Sequence, residues 1–279
     1  MSFSQMAPGE AYPKVDVVMC TKDSVNPCLE RLLIRIREDI PVNDLIVVDG
    51  GSTDGTPELA EKYGAKVIQL GFGNRGIQKQ MSMDAAKTDL FVTVDSDMIF
   101  PRGWFRSVYS QLDPDTAAVT TAYREVDQKG LSPAYRAWSV MEGRTVSYSM
   151  PTEWINGVVL FRRSAMTDLR IPRDMHVGDY LIIGQYMKAH RNKWKVNTEA
   201  IVTHYRDPSE ARGVFDPWEQ KLYGHLMRKY RLASRRTMLR LLARSTLQAL
   251  VILVAGRSLS VSLSRLRIGW MRTICFFVT

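Results

Sequence analysis

Two acidic side chains, Asp95 and Asp97, stand one residue apart directly after the apolar, β-branched run of residues 90–94. Such a run is typical of a buried strand. In an open α/β sheet, ligands bind at the carboxyl ends of the strands. Two carboxylates at that position suit a hard divalent cation that is shared with substrate phosphates. The same residues also fit a strand that ends in an Asx-type turn, so the tripeptide alone does not decide between the two.

The preceding segments alternate between strand and helix patterns. Three apolar runs predict strands at residues 15–21, 44–49 and 65–70. Two segments with apolar residues at helical spacing predict helices at residues 28–38 and 77–87. Thr56 as N-cap and Pro57 at the first helical position predict the start of another helix. This alternation predicts a Rossmann-like, mostly parallel α/β sheet flanked by helices.

Beyond Pro101 the alternation is less regular. The remaining predicted elements are a strand at 117–123, a helix at 132–149, a glycine turn and strand within 153–163, a helix at 180–190, and short extended pieces at 194–197 and 200–204.

Four polar side chains fall at the carboxyl ends of the predicted parallel strands: Thr21, Asp49, Asp95 and Asp97. Phosphate-type ligands bind at that edge of such a sheet, so this coincidence favours a ligand site over a simple turn. Asp49 can accept a hydrogen bond from the ring N–H of a base. Asp95 and Asp97 can hold a ribose and a Mg²⁺ or Mn²⁺ ion on a diphosphate, where the metal offsets the charge of the leaving group.

Sugar transfer from a nucleotide also needs a base that removes a proton from the acceptor hydroxyl. Asp179 follows Gly178 at a predicted helix start and is the candidate for this role. An acidic residue is favourable at a helix N-terminus for purely structural reasons as well, so both interpretations stand at this point.

In order and spacing, the motifs resemble family 2 glycosyltransferases of the GT-A fold over residues 14–210. The resemblance lies in the first strand, the turn Asp49-Gly50-Gly51-Ser52-Thr53-Asp54-Gly55-Thr56, the pair Asp95-Ser96-Asp97, the turn Asn156-Gly157 with the strand after it, and Gly178-Asp179. It implies an α/β sheet of GT-A type and an inverting transfer from a nucleotide-sugar donor, with Mg²⁺ or Mn²⁺ as cofactor.

The resemblance also implies a role for each matching residue. The nucleotide-sugar-binding residues would be Thr21, Asp49, Lys79, Asp95, Asn156 and Gly157. Asp97 would be the main metal ligand, with Asp95 and His204 beside it, and Asp179 the catalytic base. His204 also fits a buried, hydrogen-bonded histidine. The sequence departs from the family at Gly50, Gly178 and Gln185, and the last two concern the acceptor side.

The overall composition is that of a globular protein with a sizeable core, organised as one large or two small domains. The chain has 279 residues, of which 45% are hydrophobic and 24% charged. Its three cysteines show no metal-finger or disulfide spacing, which indicates a reducing compartment. Residues 1–13 are predicted to be disordered and carry no signal-peptide pattern.

The basic charge is concentrated at the C-terminal end. Residues 221–279 contain twelve Lys or Arg and no Asp or Glu, whereas the other 220 residues carry 26 basic and 29 acidic side chains. Such asymmetry favours an anionic surface as partner. The basic residues alternate with aliphatic and aromatic ones, which is typical of a helix in a membrane interface and argues against nucleic acid.

These features divide the chain into a glycosyltransferase domain at 14–217 and a basic, amphipathic helical tail at 218–279. We expect the tail to bind an anionic membrane surface, which places the protein peripherally on the cytoplasmic face of a membrane. The acceptor is then a lipid-linked or other glycan. Two alternatives for the tail stay open: a helical hairpin packed on the domain, and a spanning helix at 245–264 that tolerates Arg257.

Three other functions compete with sugar transfer. A catalytically inactive family member would bind the nucleotide sugar without turnover. A nucleotidyltransferase would carry a glycine-rich, lysine-bearing loop after the first strand, but residues 20–24 contain no glycine. A nucleic-acid-binding protein would expose aromatic and basic side chains on a shared surface.

Overall fold

The computed structural model describes residues 11–126, 157–205, 217–256 and 259–278. The chain divides into two compact units. The described residues of the first are 11–124 and 157–205, and those of the helical part of the second are 217–256 and 259–278. Three predictions fall on residues that the structure does not describe: residues 1–10 of the N-terminus predicted to be disordered at 1–13, the helix at 132–149, and Asn156.

The strands form one eight-stranded sheet. They are β1 (Val15–Thr21), β2 (Val42–Asp49), β3 (Ala65–Gln69), β4 (Leu90–Asp95), β5 (Met98–Ile99), β6 (Thr116–Val126), β7 (Val159–Arg162) and β8 (Lys193–Tyr205). Their order across the sheet is β3-β2-β1-β4-β7-β6-β8-β5.

The helices flank the sheet in the first unit and make up the described part of the second. They are α1 (Glu30–Asp39), α2 (Thr56–Lys62), α3 (Arg75–Ala85), α4 (Trp104–Tyr109) and α5 (Asp179–Ala189), then α6 (Pro217–Lys229), α7 (Arg235–Gly256) and α8 (Leu259–Val278). A π-helical turn (Val25–Leu29) precedes α1, and a 3-10 turn (Arg163–Ala165) follows β7.

The sheet has a parallel and an antiparallel part, and the predicted α/β class is confirmed. β1 pairs in parallel with both β2 and β4, and β2 with β3. β7 runs antiparallel to β4 and β6, and β5 runs antiparallel to β8. The central strands read as unbroken apolar runs because both of their faces are covered; Val15, Val17, Val18 and Met19 are at most 1% exposed.

Two local predictions are corrected by the structure. The N-cap of α2 is Gly55, in the left-handed region with φ 88°, whereas Thr56 is the first helical residue. The hydroxyl of Thr56 donates to Asp54 Oδ1 at 2.6 Å instead of capping the helix. The extended pieces predicted at 194–197 and 200–204 are a single strand, β8, which also includes the two residues between them and lies between β6 and β5 in the sheet.

The buried carboxylate of Asp16, near the start of β1, joins the start of β2 to the residues just before β4. Its Oδ2 accepts hydrogen bonds from the backbone N–H groups of Lys87 and Thr88 at 2.6 and 3.0 Å. Its Oδ1 accepts from Asn43 Nδ2 at 2.9 Å and from the N–H of Asp44 at 3.2 Å. Burial by itself would raise the pKa of Asp16, but these donors outweigh it and hold the pKa below its usual value.

In the second unit, α7 and α8 form an antiparallel hairpin. Arg265 Nε donates to Gln248 Oε1 at 2.7 Å, and Thr273 Oγ1 donates to the carbonyl of Met238 at 3.3 Å. Of the residues that the structure describes, one stretch, Arg235–Val254 in α7, is long and apolar enough to cross a membrane by length and composition.

Candidate active site

The carboxylate of Asp49 holds the glycine-rich turn after β2 against the end of β1. Its Oδ1 accepts from Thr21 Oγ1 at 2.8 Å and from Ser52 Oγ at 2.5 Å. Its Oδ2 accepts from the backbone N–H groups of Gly51 and Ser52 at 2.9 and 2.7 Å. Asp49 is 1% exposed. Both oxygens are therefore engaged within the turn, which gives Asp49 a structural role besides its predicted contact with a base.

The loop after β1 is joined to the same turn by hydrogen bonds in both directions. The N–H of Asp23 donates to Ser52 Oγ at 2.7 Å, and the N–H of Thr53 donates to Asp23 Oδ1 at 2.8 Å. The N–H of Ser24 donates to Thr56 Oγ1 at 2.8 Å. The two loops thus form one connected wall at the carboxyl ends of β1 and β2.

Gln78 is a site residue that sequence reasoning did not single out. Its Nε2 donates to the carbonyls of Thr21 and Val48 at 2.8 and 3.1 Å, so it ties together the ends of β1 and β2. A Cβ on Gly50 would lie 3.0 Å from the Gln78 amide and 3.0 Å from Gly73 Cα. The departure from the family at Gly50 therefore makes room for Gln78. The one signal in the sequence was the position of Gln78 next to Lys79.

Lys79 on α3 forms an ion pair with Asp95 at the end of β4. Lys79 Nζ lies 3.6 Å from Asp95 Oδ1, and the lysine side chain is 12% exposed. Burial by itself would lower the pKa of Lys79, but the negative charges of Asp95 and Asp179 contribute to raising it. Lys79 is therefore a fixed positive charge, which suits the phosphates of a donor.

Asp95 lies among several charges at the end of β4. Loss of hydration raises its pKa most, and the charges of Asp97 and Asp179 add to this. Lys79 and Arg75 act in the opposite direction. Asp179 itself is 6% exposed at the first position of α5, after Gly178 with φ 75°. Arg75, at the start of α3, was not singled out by the sequence because a basic residue there looks like a solvated helix end.

Asp97 contacts His204 across the antiparallel part of the sheet. His204 Nε2 lies 2.8 Å from Asp97 Oδ2, and the N–H of Tyr205 donates to the carbonyl of Asp97 at 2.7 Å. Met98 pairs with His204 where β5 meets β8. The end of β8 thus holds the turn that carries Asp97.

Gly157 lies beside the carboxylate of Asp95, in a conformation that favours glycine. Its φ is 70°, and a Cβ there would lie 2.3 Å from Met98 Sδ and 4.0 Å from Asp95 Oδ2. The backbone can pass this close only without a side chain. Its predicted partner Asn156 lies outside the described residues.

The described candidate residues fall into two neighbouring groups. Thr21 and Asp49 form the first, and the second consists of Lys79, Asp95, Asp97, Gly157, Asp179 and His204. Thr21 lies opposite Asp49 and Cys20 opposite Asp95 in the parallel ladder, so both groups occupy the same edge of the sheet. The predicted convergence at the strand ends is therefore present in the structure.

The oxygen and nitrogen donors at this edge fit a metal site that substrate phosphates complete better than a site in which the protein supplies every ligand. Among the described residues, no three His, Cys, Asp or Glu side chains come together as a complete binding group. Asp97 and His204 do come together, with Asp95 beside them. A Mg²⁺ or similar ion is commonly held by one or two carboxylates while substrate phosphates supply the other ligands.

Comparison with known proteins adds a family and a fold. The sequence profile of the family described as Glycosyl transferase family 2 matches residues 16–169. A TPR repeat-containing protein of Synechococcus elongatus is 26% identical over 222 residues, which are 77% of this chain and 48% of that protein. The chain thus spans about half the length of this curated relative.

Two groups of solved structures share the fold of this chain. Glucosyl-3-phosphoglycerate synthase from Mycobacterium tuberculosis, in complex with Mn²⁺, UDP and glucosyl-3-phosphoglycerate, is 17% identical with a TM-score of 0.52, covering 80% of this chain and 85% of that one. A mannosyltransferase from Pyrobaculum calidifontis, in complex with GDP-mannose and Mn²⁺, is 15% identical with a TM-score of 0.58, covering 91% and 74%. The mixed sheet flanked by helices is therefore of GT-A type.

Proposed function

This chain belongs to glycosyl transferase family 2 and is a glycosyltransferase of GT-A type, and we propose that it transfers a sugar with inversion from a nucleotide-sugar donor to an acceptor hydroxyl or phosphate. The observation that carries this proposal is the group formed by Lys79, Asp95 and Asp179 next to the Asp97–His204 pair. It combines a fixed cation, metal-binding oxygens and a candidate base at one sheet edge.

On the donor side, the wall formed by Thr21, Asp49 and Ser52 would hold the base and ribose. Asp49 keeps this wall in shape, since both of its oxygens accept hydrogen bonds from it. Lys79, paired with Asp95 at 3.6 Å, would face the diphosphate. Gly157 would lie where the donor sugar meets the acceptor, and the family resemblance implies a donor contact for Asn156 as well.

Asp97 would be the main ligand of a divalent cation, with Asp95 and His204 beside it. Mn²⁺ or Mg²⁺ accompanies the nucleotide in the related solved structures. When bound, the ion supplies positive charge against the departing diphosphate. The protein's part is to orient the carboxylate of Asp97, which His204 contacts at 2.8 Å.

Asp179 would act as the base. In the proposed step its carboxylate takes the proton of the acceptor hydroxyl, the acceptor oxygen forms a bond to the anomeric carbon, and the bond from that carbon to the phosphate oxygen breaks. The electron pair leaves with the nucleoside diphosphate. One displacement of this kind inverts the anomeric configuration. Phosphate acceptors would react in the same way without needing the proton transfer.

The acceptor is proposed to be a lipid-linked or other glycan reached at the cytoplasmic face of a membrane. The support for this is the strongly basic, apolar character of residues 221–279, which carry twelve basic and no acidic side chains.

The direct test is a panel of nucleotide sugars incubated with the full chain and candidate acceptors, with and without Mn²⁺. We expect release of nucleoside diphosphate and a product of inverted configuration, both dependent on the metal. Asp179→Asn should lower the transfer rate by about 10²–10⁴-fold. It should leave thermal stabilisation by nucleoside diphosphate with Mn²⁺ unchanged, because the donor site is intact.

The alternatives give different results in the same assay. Stabilisation by nucleoside diphosphates without turnover on any acceptor would identify an inactive, binding-only family member. Formation of a nucleotide sugar from a nucleoside triphosphate and a sugar phosphate would identify a nucleotidyltransferase. A product of retained configuration would exclude Asp179 as the base of a single displacement.

A further inference from the structure

The hairpin of α7 and α8 buries polar side chains between its helices. Ser245, Gln248, Ser262 and Arg265 are at most 8% exposed. Arg265 Nε donates to Gln248 Oε1 at 2.7 Å, and Ser262 Oγ donates to the carbonyl of Ala249 at 2.6 Å. These bonds cross from one helix to the other. Polar side chains on the two helices are therefore hydrogen-bonded within the hairpin.

The outer surface of the hairpin is apolar. On α7, Leu247, Leu250 and Val254 are 64%, 53% and 78% exposed. On α8, Leu259 and Leu263 are 60% and 44% exposed. In a water-soluble helix pair the outer face is polar and the inner face apolar. Large exposed apolar surfaces of this kind mark contact with a partner or a membrane.

Charge along α7 is separated from this apolar surface. Arg236, Arg240 and Arg244 are exposed in its N-terminal half. From residue 245 to the end of the helix the sequence has no charged residue. A lipid leaflet has the same sequence of charge and apolar surface along its depth. Its anionic phosphates attract the arginines, and the hydrocarbon below them accepts the leucines and valines.

We propose that the α7–α8 hairpin inserts its apolar outer surface into an anionic lipid bilayer, with the first half of α7 at the headgroups. At 1.5 Å per residue, residues 245–256 are about 18 Å long. The hydrocarbon core is about 30 Å thick, so the hairpin enters one leaflet. The sequence places Arg257 directly after this stretch, and a basic side chain of that length can reach the headgroups when the neighbouring helices lie tilted in the leaflet. The inference rests on the hairpin and stands apart from the proposed sugar transfer.

A second copy of the chain is a poorer occupant for this surface. Two copies joined along α7 would bring the exposed Arg236, Arg240 and Arg244 of each chain together, with no acidic residue in 221–279 to pair with them. Like charges brought together in this way oppose association. An anionic membrane removes the conflict.

The test is flotation of the full chain with vesicles of neutral or mixed neutral and anionic phospholipid. The wild type should float with anionic vesicles. Leu247→Ser combined with Leu250→Ser should weaken partitioning by about tenfold or more, because less apolar surface enters the bilayer. Arg236→Gln with Arg240→Gln and Arg244→Gln should weaken binding to anionic vesicles by about a hundredfold.

A matched control separates insertion from general stickiness. Ile34→Ser combined with Ile201→Ser removes two apolar side chains that are 40% and 44% exposed on the first unit. This control should float as the wild type does. Equal flotation of the wild type and the Leu247/Leu250 variant overturns the proposal. So does a stable dimer without lipid that the same two substitutions dissociate, since a second copy would then cover this surface.

Discussion

His204 Nε2 lies 2.8 Å from Asp97 Oδ2, although the two residues are 107 positions apart in the sequence. The contact exists because β8 pairs with the two-residue strand β5 directly after Asp97. The imidazole ring also packs edge-to-face on Tyr123, with ring centroids 5.8 Å apart. The carboxylate proposed as the main metal ligand is thereby held from a distant part of the chain.

Substitutions at Asp97 and His204 should distinguish the loss of the metal ligand from the loss of the group that orients this ligand. Asp97→Ala should abolish metal-dependent transfer because the main ligand is lost. His204→Ala should raise the Mn²⁺ concentration for half-maximal transfer by about 10–100-fold, as expected for a group that orients a metal ligand. Titration of the transfer rate with Mn²⁺ measures both. The control is Asp113→Ala, which changes an exposed carboxylate that pairs with Lys195. If Asp97→Ala responds to Mn²⁺ as the wild type does, Asp97 is not a metal ligand.

Loss of the positive charge of Lys79 should weaken donor binding. Lys79→Met leaves Asp95 without the ammonium that lies 3.6 Å away and removes a charge aimed at the diphosphate. We expect the affinity for nucleoside diphosphate with Mn²⁺ to fall about tenfold or more by calorimetry, the size of one charge-assisted hydrogen bond. Lys66→Met, whose exposed partner is Asp44, should bind normally. Unchanged binding by Lys79→Met would argue against a diphosphate contact.

Gly157→Ala should destabilise the first unit in two separable ways. A positive φ of 70° costs a non-glycine residue about 1–2 kcal/mol. The new Cβ would also lie 2.3 Å from Met98 Sδ. Combined with Met98→Ala, the substitution should therefore cost less free energy of unfolding than the sum of the two single changes. Urea unfolding of the four proteins measures this, and strictly additive values would contradict the clash.

The Asp16 network makes a pH-dependent contribution to stability. Both carboxylate oxygens of Asp16 accept from N–H groups, so in Asp16→Asn the side-chain NH2 would meet an N–H donor in either orientation. We expect a loss of about 2 kcal/mol in the free energy of unfolding at neutral pH. Because the folded pKa is lowered, the carboxylate stabilises above the unfolded pKa of about 3.9 and loses this effect as pH falls through the folded value.

Urea unfolding of wild type and Asp16→Asn at several pH values is the measurement for this network. The gap between the two proteins should narrow below about pH 4. Asp44→Asn changes a carboxylate that pairs with Lys66 on the surface and should cost less than about 1 kcal/mol. A gap that stays constant down to strongly acid pH would show that the charge of Asp16 is not the source of the stability.

The parallel part of the sheet could be predicted from the sequence, because strands that are covered on both faces leave unbroken apolar runs. The predicted bounds of β1 agree with the structure, and Thr21, Asp49 and Asp95 end neighbouring strands as expected. The start of α2 was predicted one residue late, since a glycine in the left-handed region took the cap position.

The sequence by itself determined the family, the strand-end chemistry and the basic, apolar character of the tail, since these depend on local residue types and spacing. Only the tertiary structure decided that both oxygens of Asp49 hold its own turn, that Gln78 fills the space beside Gly50, and that His204 meets Asp97. It also decided that α7 and α8 put polar groups inside and leucines outside. These relationships join residues far apart in the chain, and chain folding sets them through pairing and packing that no local pattern records.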